Sequence, residues 1–207
     1  MNAAIAHTMK EIITNQENGI HTALTLLDLS KAFDCVSHPI LLFKMEFYGV
    51  RGIAYELFRS YLMNRKQQVM YQNMQSGLRQ VKFGVPQGSV LGPLIFILYV
   101  NDLPVHSKYI LYADDTTLIS TDINIEIAKN KAKTNEMSAS CWFYANKLTI
   151  NNDKTKNIIF PANRKYLHYN HVKFLSVILN DSLTWLPHIE SLSKKLAKSL
   201  FLLRRLK

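Results

Sequence analysis

Residues 109–120, YILYADDTTLIS, read as two short apolar runs around Ala113, Asp114 and Asp115. Aromatic and β-branched residues on both flanks and turn chemistry at the break predict a β-hairpin with the carboxylate pair at its tip. An Asp-Asp pair in a turn is, taken singly, ordinary turn chemistry. It gains weight beside residues 22–29, TALTLLDL, a run of strand length in which Asp28 stands next to the end. A rigid sheet can bring three such carboxylates together. Converging like charges raise one another's pKa and destabilise a fold, so the cluster makes sense only around divalent metal. Oxygen ligands alone select magnesium or manganese over zinc. Two such ions about 3.5–4 Å apart serve in-line phosphoryl transfer, which is polymerase or nuclease chemistry.

Outward from these strands the chain reads as one α+β unit without internal repeats. Ser37, His38 and Pro39 form a helix start, with Ser37 as N-cap and proline in the first turn, and the helix is expected to reach about Tyr48. Gly49 and Gly52 separate it from a second helix ending near Asn64. QQVMYQ and LRQVKF flank an N-x-x-S-G turn and predict a hairpin. Gly84, Gly88 and Gly92, with Pro86 and Pro93 among them, mark a bent segment leading to an apolar helix over about 94–103. The Gly-x-x-x-Gly spacing also fits a membrane dimerisation motif, but the prolines and the short run argue against it. From 123 to 147, Ile127, Thr134, Met137, Cys141, Tyr144 and Leu148 recur at helical spacing and are expected to form a core stripe. Short strands follow near 156–160 and 172–179. A last amphipathic helix from 187 carries six basic residues against Glu190, and its apolar face (Ile189, Leu192, Leu196, Leu200, Leu203) must dock on something.

Composition excludes several classes. With 207 residues, 48% of them hydrophobic, the chain is globular rather than disordered. Twenty-five basic residues against fifteen acidic ones give a net charge of +10, which favours polyanionic partners, nucleic acid ahead of an anionic membrane surface. Cys35 and Cys141 lie 106 positions apart without a CxxC partner, so neither a disulfide framework nor a cysteine zinc site is encoded, and a reducing compartment is the default. The longest apolar run, residues 90–100, has eleven residues, against the roughly 20 needed to cross a bilayer. No secretory or organellar address is visible at the amino terminus; the compartment, nucleus or cytoplasm, stays open. His168 and His171 have the spacing of a metal pair but no third ligand, and read as surface or packing histidines.

Five stretches in order carry a family resemblance: LLDLSKAFDCVSHPILL from Leu26, FGVPQGSVLGPLIFILYVNDLP from Phe83, LYADDTTLIS from Leu111, CWFYANKLTINNDKTKNIIF from Cys141 and VKFLSVILNDSLTWLPHI from Val172. Together they resemble the reverse transcriptase of non-LTR retrotransposons of the Jockey-like kind, over nearly the whole chain. The resemblance implies an α+β polymerase palm, an antiparallel sheet backed by helices, with partial fingers and the start of a thumb. Residues 1–21 would be a remnant of fingers, 22–186 the palm with a fingers excursion at about 50–82, and 187–207 the start of a thumb helix. It implies an RNA-directed DNA polymerase that extends a primer 3′-hydroxyl along an RNA template with deoxynucleoside triphosphates. Asp28, Asp114 and Asp115 would hold two magnesium ions, for which manganese is a possible substitute, with the Leu29 carbonyl as a further ligand.

The same resemblance makes Phe33 a steric gate against a ribose 2′-hydroxyl; the plain alternative for the bare residue is a core aromatic beneath the strand. Gln87 and Gly88 would approach the incoming nucleotide and template base, where little side-chain bulk permits close backbone approach. Tyr112 would lie near the primer terminus. Lys154 resembles the lysine that protonates the pyrophosphate leaving group, with a solvated turn lysine as the plain alternative and Lys156 as a rival. Trp185 and Leu186 with the preceding strand would form a primer grip. Ser176 stands where the family has glycine and Asn180 where aspartate is common, which puts the grip's turn in question.

The family's upstream fingers cations have no counterpart here, since Lys10 is the only basic residue before Lys31. The thumb is curtailed at Lys207, and no endonuclease segment is present, so a fragment of a longer protein is expected. Losing two or three charge-assisted contacts of about 1.5–3 kcal/mol each would weaken nucleotide binding or catalysis by several powers of ten. A catalytically silent retrotransposon-derived fragment that at most binds nucleic acid is therefore the alternative. An RNA-directed RNA polymerase is a third reading, which Phe33 opposes.

Overall fold

The structure is a computed structural model that describes residues 2–86, 88–104, 108–168 and 170–205. Helix α1 (Asn2–Glu17) precedes β1 (His21–Ser30), a short 3-10 turn (Ala32–Asp34), α2 (His38–Phe47) and α3 (Gly52–Leu62). Four two-residue strands follow, β2 (Lys66–Gln67), β3 (Met70–Tyr71), β4 (Met74–Gln75) and β5 (Arg79–Gln80), then α4 (Leu91–Val100). The remainder runs β6 (Lys108–Tyr112), β7 (Asp115–Asp122), α5 (Ile125–Ala145), β8 (Thr149–Ile150), β9 (Lys156–Phe160), β10 (His171–Phe174), β11 (Val177–Asn180) and α6 (Leu186–Arg205). The chain divides into two compact units: one of Met1–Leu27, His106–Met137 and Asn152–Lys207, the other of Asp28–Val105 and Ser138–Asn151.

In the first unit, β7 lies between β6 and β1, and β9 pairs antiparallel with β1 from Thr22↔Phe160 to Leu26↔Lys156. The amino-terminal half of β1 is buried without alternation, as a strand covered on both faces must be. Its Leu24 packs in a cluster with Ile12 of α1, Ile119 of β7, Ile158 and Phe160 of β9, and Val172, Phe174 and Leu179 of the β10–β11 hairpin. Full burial of such side chains contributes about 1.5–3 kcal/mol each, which holds α1 on the sheet despite its weak amphipathicity. The expected hairpin of residues 109–120 is present, with Tyr112 paired to Asp115. Its two-residue turn is Ala113 and Asp114, Ala113 taking φ 54°, so that Asp114 occupies the tip and Asp115 opens β7.

Helix α5 forms where its spacing predicts, but on a different face. Ala128, Ala132, Ala139 and Phe143 are buried, whereas Ile127, Met137 and Tyr144 are exposed, as are Thr134 and Cys141; only Leu148 of the expected stripe is buried. The two stripes point about 180° apart, on opposite faces of the helix. Size explains the difference: three alanines let the helix backbone approach what it packs on, and Phe143 is buried beside them while Ile127, Met137 and Tyr144 face out. At the start of α5, Asn124 Oδ1 accepts from the amides of Glu126 (2.9 Å) and Ile127 (3.3 Å), a side-chain cap.

Residues 172–179 lie within a complete hairpin, β10–β11, closed by Leu175 and Ser176. The left-handed residue there is Leu175 (φ 52°), one before Ser176, so the serine is not the strained position. Helix α6 packs on β11 yet buries none of its residues. The apolar face that the sequence expects to be docked is exposed, Leu203 at 64%.

In the second unit, β8 pairs with the end of β1 (Leu29↔Ile150, Ser30↔Thr149). Helices α2 and α3 occupy the predicted positions. Helix α4 starts at Leu91, three residues earlier than expected, and ends at Val100. Pro93 falls in its first turn, where a missing amide costs nothing, and Ser89 Oγ accepts from the Gly92 amide at 3.0 Å. The hairpin of residues 66–80 is two nested strand pairs, β2–β5 and β3–β4. Its turn is at Gln72 and Asn73 (φ 45° and 66°) rather than across Asn73 to Gly77, because two left-handed residues match the twist of the flanking strands.

The buried polar centre of this unit was not foreseen. Tyr99 of α4 donates its hydroxyl to the Asn146 carbonyl (2.6 Å) and accepts from the Ser37 amide (3.4 Å). Lys44 of α2 is buried, donates to the Tyr99 carbonyl (2.7 Å), pairs with Asp102 (2.5 Å), and lies over the rings of Tyr99 and Trp142. Burial pushes the Tyr99 phenol up to about 12. It also pulls the Lys44 ammonium below its ordinary value, more strongly than Asp102 raises it.

Two outcomes follow. Tyr99→Phe leaves the buried Ser37 amide and Asn146 carbonyl short of a partner and should cost about 1–3 kcal/mol in urea unfolding; a loss below roughly 0.5 kcal/mol contradicts this hub. Because the folded state holds the Lys44 proton less tightly than the unfolded chain, stability due to this group rises with pH toward 10.5. The unfolding free energy of the wild type minus that of Lys44→Met should therefore increase from neutral pH upward, and a difference that falls opposes the assignment.

Candidate active site

Asp28 sits near the end of β1, half-buried, its carbonyl accepting from the Asn151 amide at 2.8 Å. The strand carries it because the apolar run before it is fixed in the core. The neighbouring Leu29 is buried and held in register by β8. Asp114 and Asp115 are half-buried at the head of the β6–β7 hairpin in the other unit. These donors are all carboxylate oxygens, which suit a hard divalent cation and not zinc. Among the described residues, no group of three or more His, Cys, Asp or Glu side chains is placed to hold a metal ion.

Phe33 lies in the 3-10 turn that β1 runs into. Its ring stacks on Phe96 of α4 (centroids 4.7 Å apart, 28° between planes), and its carbonyl accepts from the Val85 amide at 2.8 Å. The ring is thus half-buried and fixed from one side. Lys31, ahead of the turn, takes φ 49°, and Gly84 crosses so near that a Cβ there would lie 3.0 Å from Asp34 backbone atoms. That approach ties the segment after β1 to the one before α4, with Gly84 N donating to the Val36 carbonyl (2.8 Å) and His38 Nε2 within 2.7 Å of the Gly84 carbonyl.

Gln87 lies outside the described residues. Gly88 is exposed at φ 78° with open space where a Cβ would be, so its glycine is required by conformation and not by crowding within this chain. Tyr112 is exposed across the turn from Asp115. Lys154 is exposed in the turn between β8 and β9. Trp185 and Leu186 are exposed at the start of α6, with the Trp185 ring edge-on to His188. Sequence reasoning missed Arg65 and Lys66, which with Asp34 and Phe83 line a cavity of about 400 Å³ in the second unit; their signal was a stretch with cations and no acid.

Comparison with known proteins sets these positions in context. The chain is 28% identical over 200 residues to the RNA-directed DNA polymerase from mobile element jockey of Drosophila melanogaster, covering 86% of this chain and 22% of that protein. It is 29% identical over 206 residues to the probable RNA-directed DNA polymerase from transposon X-element of the same species, covering 91% and 23%. The chain therefore spans about a fifth of the length of the curated relatives it matches. Among solved structures, apo telomerase from Candida tropicalis truncated from its C-terminal domain superposes with a TM-score of 0.61 at 17% identity, covering 87% of this chain and 39% of that one. Telomerase from Candida albicans in complex with a fragment of telomeric RNA gives 0.59 at 16%, covering 84% and 32%. These likenesses show the fold, an α+β polymerase palm with an antiparallel sheet. No described helix is long and apolar enough to cross a membrane. A family model for reverse transcriptase (RNA-dependent DNA polymerase) matches residues 3–179, and the chain belongs to that family.

Proposed function

We propose that this chain is the RNA-directed DNA polymerase portion of a non-LTR retrotransposon protein, adding deoxynucleotides to a primer 3′-hydroxyl along an RNA template. The observation that carries this reading is the family match over residues 3–179, which takes in the strand bearing Asp28 and the hairpin bearing Asp114 and Asp115. The named activity of the jockey and X-element relatives supports it, as does the telomeric RNA in the Candida albicans complex. A net charge of +10 suits a nucleic-acid partner.

In this reading Asp28, Asp114 and Asp115, with the Leu29 carbonyl, hold two magnesium ions. Bound there, the ions supply charge stabilisation to the attacking and leaving oxygens. The protein's own part is positioning. The turn at Ala113 and Asp114 fixes one carboxylate at a hairpin tip, and the buried run of β1 fixes another. Phe33, stacked on Phe96, presents a ring edge against the sugar 2′ position. Gln87 and Gly88 admit the nucleotide along backbone, Tyr112 lies beside the primer end, and Lys154 gives a proton to the departing pyrophosphate. Trp185 and Leu186, following the β10–β11 hairpin, grip the primer. Residues 1–21 belong to a remnant of the fingers, 22–186 to the palm with a fingers excursion at about 50–82, and 187–207 to the start of a thumb helix.

Primer extension on an RNA template with magnesium should be reduced at least about 100-fold by Asp114→Asn, the scale expected when a group stabilising transition-state charge is removed. Activity untouched by that change sinks the assignment; strand binding without any wild-type extension selects the silent fragment. Phe33→Ala should lower the preference for deoxy- over ribonucleotides by at least about 10-fold. The ratio is independent of how much protein is folded, so an unchanged ratio removes Phe33 as the gate.

A further inference from the structure

Helix α6 runs for 20 residues and buries none of them. Ile189, Leu192, Leu196, Leu200 and Leu203 recur three or four positions apart and are each 47–64% exposed. They form one stripe on a helix about 30 Å long. Lys194, Lys198 and Arg205 fall on the opposite face.

That segregation narrows what can cover the stripe. A helix lying in an anionic membrane surface uses cations that flank its apolar face and reach the headgroups, whereas most of the charge of α6 points the other way. A nucleic-acid strand would meet the charge and leave the leucines in water. A second apolar helix face with its own cations turned outward fits, and α6 of a second copy of this chain is such a face.

The charges beside the stripe set the direction of pairing. Glu190 is the only acid in α6, and it stands 14 positions before Arg204. The two lie about 21 Å apart along the axis and on the same flank of the stripe. Among the described residues no ion pair involves either of them. Antiparallel helices bring equal flanks together, so a pair centred on Ala197, midway between the two charges, sets Glu190 of each copy beside Arg204 of the other. The same register places Ile189 against Leu203 of the second copy and Leu196 between its Leu196 and Leu200, with the small Ala197 near the crossing. A parallel pair would leave the two charges about 21 Å apart. Five half-exposed side chains of about 100 Å² each, with the residues flanking them, bury on the order of 600–800 Å² per copy, close to the roughly 800 Å² per partner of stable complexes. The arrangement is two-fold and closes at two copies.

We propose that α6 is a self-association helix: two copies of this chain pair antiparallel through their leucine stripes, with reciprocal Glu190–Arg204 ion pairs. The pairing is independent of the polymerase reading and needs no turnover to be seen.

The test is sedimentation equilibrium of the nuclease-treated 207-residue chain. At about 0.15 M salt the wild type should be a dimer with a Kd of about 1–10 μM. Leu196→Asp with Leu200→Asp should weaken it at least about 100-fold. Glu190→Arg alone and Arg204→Glu alone should each weaken it about 10-fold, because each sets like charges together at two places. The double exchange Glu190→Arg with Arg204→Glu should return the affinity to within about 3-fold of wild type. Such a rescue excludes misfolding, and the distance along one helix excludes an origin within a single copy. Ile127→Asp with Met137→Asp, on the exposed stripe of α5, should leave the dimer intact. A wild type still monomeric at about 100 μM, or species that keep growing with concentration, overturns the proposal. So does a double exchange without rescue, or an equal loss in the α5 pair, which gives the leucines a different partner face. A monomer that floats with vesicles of phosphatidylserine and phosphatidylcholine overturns it in favour of a membrane.

Discussion

Strand β1 is the element on which both the packing and the candidate chemistry rest. Its first seven residues belong to one compact unit and its last three to the other, and the change of unit falls between Leu27 and Asp28. The apolar half is held by β7, β9 and the cluster around Leu24, while the polar end is held by β8. A carboxylate needs a rigid support if it is to be presented with little solvent around it, because the desolvation that makes it useful also disfavours its charge. Burial of the strand's first five residues supplies that support.

The second unit reaches rigidity by a different route. Its helices are joined by a buried lysine and a buried tyrosine, where ordinary packing would use apolar residues. Lys44 is desolvated against that preference, and its partners, a carbonyl, a carboxylate and two rings, offset the cost without restoring its usual affinity for a proton. Gly84, approaching the Asp34 backbone so closely that no side chain fits, ties the turn bearing Phe33 to the segment ahead of α4. The ring that would read the sugar is thus set by Phe96 and by main-chain contacts, not by its own rotamer alone.

Much of this was legible in sequence. The strand ending near Asp28, the hairpin around Asp114, and the helices α2, α3, α5 and α6 all announce themselves by period, caps and turn residues. What was not legible has physical causes. Three of the four apolar residues buried on α5, Ala128, Ala132 and Ala139, are alanines, which carry weak hydropathy but permit close approach, so counting large apolar side chains selected the wrong stripe. Two residues of the turn in the 66–80 hairpin and Leu175 adopt left-handed conformations without glycine, which composition does not signal. Lys44 looks like any helix lysine until its neighbours from distant segments are known. The cavity at Arg65 joins residues more than thirty positions apart, and only the absence of acids hinted at it. The candidate ligands Asp28, Asp114 and Asp115 came from motif and chemistry together; the structure adds that they are half-buried and carried on regular elements.

The proposed function requires that carboxylates from β1 and from the β6–β7 hairpin serve the same ions. Manganese binding followed by electron paramagnetic resonance, with primer, RNA template and a chain-terminating nucleotide present, counts those ions directly. The account predicts two bound ions in the wild type and fewer in both Asp28→Asn and Asp114→Asn. Full occupancy retained by Asp28→Asn, with loss only in Asp114→Asn, would show that the strand and the hairpin do not share a metal site.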